Sequence, residues 1–286
     1  LVFSVDAYSD FFKNEVVFYK VVKNEGEEPE LKERFSMIGY PTVILFTPEG
    51  EEIDRKIGFG GDAEGFVNDL KDWTQGVNTL KNLLSDAEQH PEDVTVLHSL
   101  AIKYNQRYEQ ALAVPHYQKI LELDPENAYG LHQEARFYIA MNVLESQGDP
   151  ALLEDFLSAL SGAESFYMRG KQGLIRYYDR EGSSDRVVGI YEELLESQPE
   201  DTGLKNAYAW YIFEERVSNK YDVAIAAARK AVELDPAADQ IWDTLAQLLY
   251  INGEIEEAVG AMEKALSLSP EDSYYKGELE RFLKGE

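Results

Sequence analysis

The sequence predicts a small α/β segment followed by an all-α array of helical repeats, and three observations carry that expectation. The string Gly39-Tyr40-Pro41-Thr42 runs straight into the apolar stretch Val43-Ile44-Leu45-Phe46. A proline there cannot donate a ladder hydrogen bond, so it belongs at a strand's first position or at a bend. Beyond residue 75 the apolar pattern is helical throughout. In that part Pro125, Pro199, Pro236 and Pro270 end apolar helical runs at separations of 74, 37 and 34 residues, the mark of a repeated unit.

The elements of residues 1–75 follow in order. A helix is expected over 5–14. Residues 16–22 are β-branched and aromatic, as a buried strand should be. A short helix over 29–35 precedes the Tyr40-Pro41 bond, where a cis form costs only about 0.5–1 kcal/mol. Thr47-Pro48-Glu49-Gly50 reads as a type I turn joining two strands, 43–46 and 52–57, into a hairpin. Asp62 then caps an amphipathic helix over 63–73, whose Phe66, Val67, Leu70 and Trp73 would cover the sheet.

Composition narrows the function classes. The net charge is −27, with 27 Lys+Arg against 54 Asp+Glu. Residues 1–75 hold 8 and 16 of these, so the acidity is spread evenly and reads as solvation. Nucleic acid is excluded as a partner, because its phosphates need a basic face. No run approaches the ~18 consecutive apolar residues of a membrane helix. A soluble protein is expected, in the cytoplasm or a bacterial periplasm. There is no cysteine, so the residues present cannot exchange thiols.

The order strand, helix, Gly-Tyr-Pro-Thr, strand, turn, strand, helix resembles the C-terminal half of the thioredoxin fold, and Gly39-Tyr40-Pro41-Thr42 is similar to a pattern of protein disulfide isomerase domains. The resemblance implies a cis Pro41 facing a Cys-x-x-Cys. It also implies that Tyr40, Pro41 and Thr42 form one wall of a substrate groove; Pro41 acting only to fix the start of a strand stays open beside it. Val2-Phe3-Ser4 through Asn14 would be the tail of the helix that follows the redox motif. On that alignment a longer gene product is expected, with the motif and the central strand upstream of Leu1. If that segment carried Cys-x-x-Cys, the protein would be a thiol–disulfide oxidoreductase; otherwise it is a docking adaptor.

The later part resembles the tetratricopeptide repeat, whose pattern places large, small and aromatic residues at fixed positions and a proline at the end. The last unit supplies Trp242, Leu245, Ala246, Leu249, Ala258, Met262, Ala265 and Pro270. The first supplies Leu100, Ala101, Tyr104, Ala113, Tyr117, Ile120 and Pro125. The unit ending at Pro199 gives Leu174, Tyr178, Val187, Tyr191 and Leu194. The unit ending at Pro236 keeps Ala224, Ala228 and Ala231, and places Tyr208 and Ala209 only if about three extra residues sit in the loop 216–220. Residues 128–160 read as a degenerate helical pair. The domains expected are 1–75 (thioredoxin-like), 76–92 (linker and capping helix), 93–271 (repeats forming a solenoid) and 272–286 (a C-terminal capping helix).

The candidate sites are few. In the repeat family, certain first-helix positions line a concave groove. In the unit ending at Pro199 these are Arg169, Gln172, Arg176, Asp179 and Arg180. Three arginines on one helix face would grip a carboxylate or an acidic peptide, or else pair with neighbouring acids. Trp210 falls at a groove position of the next unit, as an apolar anchor or a core residue. Gly58-Phe59-Gly60-Gly61-Asp62 lacks a following Gly-Lys-Ser/Thr and reads as a turn. His90, His98, His116 and His132 have no metal-ligand spacing. The expectation is a binding protein with a protein or peptide partner, no cofactor, no metal and no catalytic residue.

Overall fold

In the computed structural model, the described residues are 9–17, 19–21, 26, 28–58, 63–160 and 165–285. The chain divides into two compact units, Leu1–Asp149 and Pro150–Glu286.

The first unit holds α1 (Ser9–Asn14), α2 (Glu28–Arg34), β1 (Thr42–Phe46), β2 (Glu52–Ile57), α3 (Ala63–Thr74), α4 (Leu80–Gln89), α5 (Val94–Gln106), α6 (Gln110–Leu123) and α7 (His132–Gln147). β1 and β2 pair antiparallel, with Val43 opposite Lys56 and Leu45 opposite Asp54. Their turn closes with Gly50 N–H donating to Thr47 O at 3.0 Å. Gly50 sits at φ 90, where a side chain would be strained. The Tyr40–Pro41 peptide bond is cis. Helix α3 buries Phe66, Val67, Leu70 and Trp73 together with Phe11, and Val43, Leu45 and Ile53 of the hairpin pack against that cluster.

The strand expected over 16–22 is not formed by its described residues. Val16, Val17, Tyr19, Lys20 and Val21 have no strand structure, and Phe18 and Val22 lie outside the described residues. Val16 packs on the α3 cluster instead, while Val17 and Tyr19 are exposed. β-rich side chains make a strand only where a neighbour takes up the backbone N–H and C=O groups. Among the described residues the sheet has two strands, and they pair with each other. Of the helix expected over 5–14, residues 5–8 are outside the described residues, as is Asp62, the expected cap of α3.

The second unit holds α8 (Ala151–Ser158), α9 (Ser165–Arg180), α10 (Ser184–Ser197), α11 (Thr202–Glu214), α12 (Tyr221–Leu234), α13 (Asp239–Ile251), α14 (Ile255–Leu268) and α15 (Ser273–Lys284). Helices pack in consecutive pairs, α5 with α6, α9 with α10, α11 with α12 and α13 with α14. The second helix of each pair is 14 residues long. Each stops at a cap, Asp124, Gln198, Asp235 or Ser269, that directly precedes a repeat proline. The caps have left the helical region (φ −120 to −133, ψ 59 to 81) because a following proline ring disfavours it.

Three residues join the helices of most pairs, and their middle residue is left-handed: Tyr108 (φ 58), Gly182 (φ 69) and Gly253 (φ 89). The next N–H reaches back to the first helix, Glu109 to Tyr104 O, Ser183 to Tyr178 O and Glu254 to Leu249 O, at 2.8–2.9 Å. Between α11 and α12 the connection runs over six residues, with a 3-10 turn at Ser218–Lys220, where the repeat alignment requires the extra length. Side-chain caps start α5, α11 and α15: Asp93 accepts from Thr95 N, Asp201 from Leu204 N and Asp272 from Tyr274 N, whereas α13 starts at Ala238 without one. Thr79 does the same for α4.

The repeat core is built as the pattern demands. Ala101, Ala113, Ala209, Ala224, Ala246, Ala258 and Ala265 are buried, so paired helices approach closely, and Tyr117 and Tyr208 fill the space between pairs. The stretch 128–160 supplies α7, which packs on α6, and α8, which packs on α9. α8 has eight residues, and it closes on α9 at Gly170, where a Cβ would lie 2.6 Å from Leu157 Cδ2.

Candidate functional site

Each expected site residue has a defined place in the fold. Tyr40 and Pro41 are exposed at the open end of the hairpin, beside exposed Ile38. Thr42 Oγ1 donates to Gly39 O at 2.5 Å, and Pro41 O accepts from Gly58 N at 2.8 Å. Gly39 presses on the end of β2, since a Cβ there would come 2.8 Å from Ile57 Cγ2. The Lys32 ammonium lies 5.9 Å from the Tyr40 ring centroid. The loop residues 59–62 are outside the described residues.

On α9 the structure brings Arg169, Gln172, Arg176, Asp179 and Arg180 onto the solvent side, all exposed. At 100° per residue the three arginines fall within about 40° of one another. Arg169 stacks over Phe166 at 5.8 Å and Arg180 over Tyr177 at 5.9 Å. Arg180 approaches a carboxylate only at 4.0 Å, from Glu181. Arg176 makes no ion pair among the described residues. The buried side of the same helix carries Tyr167, Gly170, Gly173, Leu174 and Tyr178, so packing fixes which face is exposed.

The other side of α9 is closed by two acid-centred clusters. Glu193 takes hydrogen bonds from Tyr167 Oη at 2.5 Å and Lys171 Nζ at 2.6 Å. Glu154 takes them from Tyr178 Oη at 2.7 Å and from Arg186. Burial, then the Glu193 hydrogen bond, pushes the Tyr167 phenol up to about 12, so it remains a donor. These groups rim a cleft of about 410 Å³ between α8, α9 and α10, floored by Leu157, Leu174 and Ile190. Both cations of the cleft, Lys171 and Arg186, hold an acid.

Trp210 on α11 is half-buried, with its ring 5.2 Å from Phe213 of the same helix. One turn earlier Asn206 has a buried Oδ1 with no hydrogen-bond partner, a feature its sequence context does not announce. On α13 the corresponding positions, Asp243 and Gln247, are 7% and 1% exposed. Gln247 Nε2 donates to Asp243 Oδ1 at 3.3 Å, Tyr274 Oη at 3.1 Å and Glu278 Oε2 at 2.7 Å, and Arg281 Nη2 donates to Gln247 Oε1 at 2.9 Å. Desolvation, with the charges of Glu278, Asp272 and Asp239, pushes the Asp243 carboxyl up to about 6.

A buried ion cluster in the first unit escaped the sequence reading. Asp54 of β2 is 1% exposed and receives Lys103 Nζ at 2.8 Å, Arg107 Nη1 at 3.1 Å and Leu80 N at 3.1 Å. The Lys103 ammonium also lies 4.8 Å from the Trp73 ring centroid. The hairpin is thereby tied to the first repeat.

The histidines make local contacts. His98 Nε2 meets Glu134 Oε1 at 3.2 Å, His116 stacks on Tyr104 at 5.7 Å, and His132 Nε2 contacts Asp124 O at 2.6 Å. His90 caps α4. Among the described residues no three His, Asp or Glu side chains gather as a metal set, and no helix is long and apolar enough to cross a membrane.

Comparison with known proteins bears on the repeats. The family described as tetratricopeptide repeat matches residues 240–272, which run from α13 to the start of α15. The human protein O-mannosyl-transferase TMTC1 is 26% identical over 181 residues, 63% of this chain and 20% of that protein. The SPbeta prophage-derived thioredoxin-like protein YosR of Bacillus subtilis is 46% identical over 33 residues, 12% of this chain and 41% of that one. The chain thus spans about a fifth and two fifths of these relatives' own lengths. Among solved structures, the tetratricopeptide protein YrrB, described as having an unusual peptide-binding site, is similar at a TM-score of 0.49 and 17% identity, over 68% of this chain and 96% of that one. A tetratricopeptide repeat protein from Parabacteroides merdae gives 0.41 and 19%, over 77% and 80%. The family match identifies residues 240–272 as a tetratricopeptide repeat.

Proposed function

We propose that the protein is a non-catalytic, protein-binding scaffold that captures an acidic polypeptide segment on the exposed face of α9. In this reading residues 1–75 are a thioredoxin-like adaptor without cysteine, 76–92 a linking and capping helix, 93–271 a tetratricopeptide array and 272–286 a C-terminal cap. Tyr40, Pro41 and Thr42 offer a second peptide-contacting edge, and Trp210 an apolar anchor. Any thiol–disulfide exchange would need cysteines that these residues do not contain.

One observation carries the reading: Arg176 and Arg180 stand exposed one turn apart, on the helix face that also carries Arg169, in a chain of net charge −27. Guanidinium groups bind carboxylates through paired, charge-assisted hydrogen bonds. A chain this acidic repels anionic partners elsewhere, so such a stripe marks where one would dock. The test is isothermal titration of the whole chain with a Glu-rich peptide, beside the double variant Arg176→Glu and Arg180→Glu. Binding should be lost in the variant and weaken with salt. Equal capture by both proteins would retire the assignment.

A further inference from the structure

We propose that the cleft between α8, α9 and α10 binds a small organic cation, an ammonium group carried on an apolar body. Leu174 of α9 floors the cleft, whereas Arg176 stands on the exposed side of the same helix. The site is therefore separate from the acid-capturing face and does not rest on it.

The shape follows from helix lengths. α8 has 8 residues and α10 has 14, about 12 and about 21 Å of helix. The shorter helix leaves part of the surface of α9 and α10 uncovered, and a cleft of about 410 Å³ remains. Small-molecule sites occupy roughly 300–1,000 Å³. Leu157, Leu174 and Ile190 make an apolar floor and are themselves buried. Gly189 also lines the cleft, and a Cβ there would meet no atom within 4 Å, so the space reaches the α10 backbone.

The rim sets the sign of the charge. Glu154, Asp185 and Glu193 line the cleft, against Lys171 and Arg186. The Lys171 ammonium holds Glu193 at 2.6 Å and lies 5.2 Å from the Tyr167 ring centroid. Arg186 holds Glu154, with its guanidinium 4.7 Å from the Tyr178 ring centroid. The phenol O–H groups of Tyr167 and Tyr178 donate to the same two acids. Asp185 has no ion-pair or hydrogen-bond partner among the described residues. An occupant thus meets an apolar floor and one unmatched carboxylate. An anion would be repelled by Asp185 and find both cations engaged; a neutral apolar body would leave Asp185 unmatched. An ammonium on an apolar body answers both features. The volume is that of about 14 waters in the liquid, room for a compound of about ten heavy atoms. A lysine side chain entering from a polypeptide would leave most of it unfilled.

The experiment titrates the whole chain at low salt with phenethylamine, phenethyl alcohol, hydrocinnamate and the peptide acetyl-Gly-Lys-Gly-amide, followed by nuclear magnetic resonance. The amine should bind about fivefold tighter than the alcohol or the carboxylate. A net charge of −27 attracts any cation diffusely, so two variants separate the site from that field. Gly189→Leu keeps the net charge, fills the cleft and favours helix. It should weaken amine binding by about tenfold while the melting temperature holds or rises. Asp185→Asn, an exposed change of one charge, should cut the preference for amine over alcohol to about twofold or less. The proposal is overturned if the alcohol or the carboxylate binds as tightly as the amine, or if Gly189→Leu binds it undiminished. Tighter binding of the lysine peptide than of the free amine would overturn the small-molecule assignment as well.

Discussion

Lys103 of α5 donates to Asp54 of β2 at 2.8 Å with both side chains almost wholly removed from solvent, 7% and 0% exposed. Arg107 and the Leu80 N–H converge on the same carboxylate. Removing the acid would leave a buried ammonium beside the Trp73 face with no carboxylate paired to it among the described residues. Asp54→Ala should therefore cost about 3–5 kcal/mol, the usual penalty for stranding a buried charge. Urea unfolding measures it; a loss under about 1 kcal/mol would mean that water reaches the cluster. The hairpin and the first repeat should also unfold in one transition.

Tyr108 occupies the left-handed turn position that the other three-residue connections give to Gly182 and Gly253. Tyr108 is 56% exposed, so little packing compensates the backbone cost. Tyr108→Gly should raise stability by about 1 kcal/mol. Gly253→Ala should lower it by a similar amount, and thermal melting of the two variants, moving in opposite directions, checks both.

Asp243 gives a pH signature of defined sign. Its folded carboxyl is pushed up to about 6, whereas an unfolded aspartate titrates near 3.9. Between those values the folded state holds a proton that the unfolded state has released, so this group's contribution to stability falls as pH rises through that window. Asp243→Asn should stabilise the protein by about 1–3 kcal/mol at pH 7 and have little effect near pH 4. Denaturation of both proteins at several pH values reads the difference; a gap independent of pH would refute the assignment.

What was legible in the sequence was local. A proline disfavours helix in the residue before it, and four of them close apolar helical runs at repeat spacing, so Asp124, Gln198, Asp235 and Ser269 could be placed as helix ends. Pro115, lying inside α6, shows that the spacing was needed as well as the proline. The longer connection before α12 followed from keeping Tyr208 and Ala209 in register, and both are fully buried. That the three α9 arginines share one side followed from their seven- and four-residue spacing, and Leu174 and Tyr178 claim the opposite side.

What was not legible depends on distant partners. Residues 16–22 have strand composition, yet composition does not supply a neighbouring strand. Asp54 lies in the charged run Glu51-Glu52-Ile53-Asp54-Arg55-Lys56, where nothing local distinguishes the inward acid from its solvated neighbours. Only α5, folded against β2, makes it the hub of a cluster.

The way the hairpin is anchored also bears on how the repeats can be handled in isolation. A fragment cut after Thr74 would discard Asp54, Glu52 and Trp73 and bare the ammonium and guanidinium of Lys103 and Arg107 to water. Such a trimmed product would acquire an artificial attraction for anions on α5. It would mimic the very affinity assigned to α9.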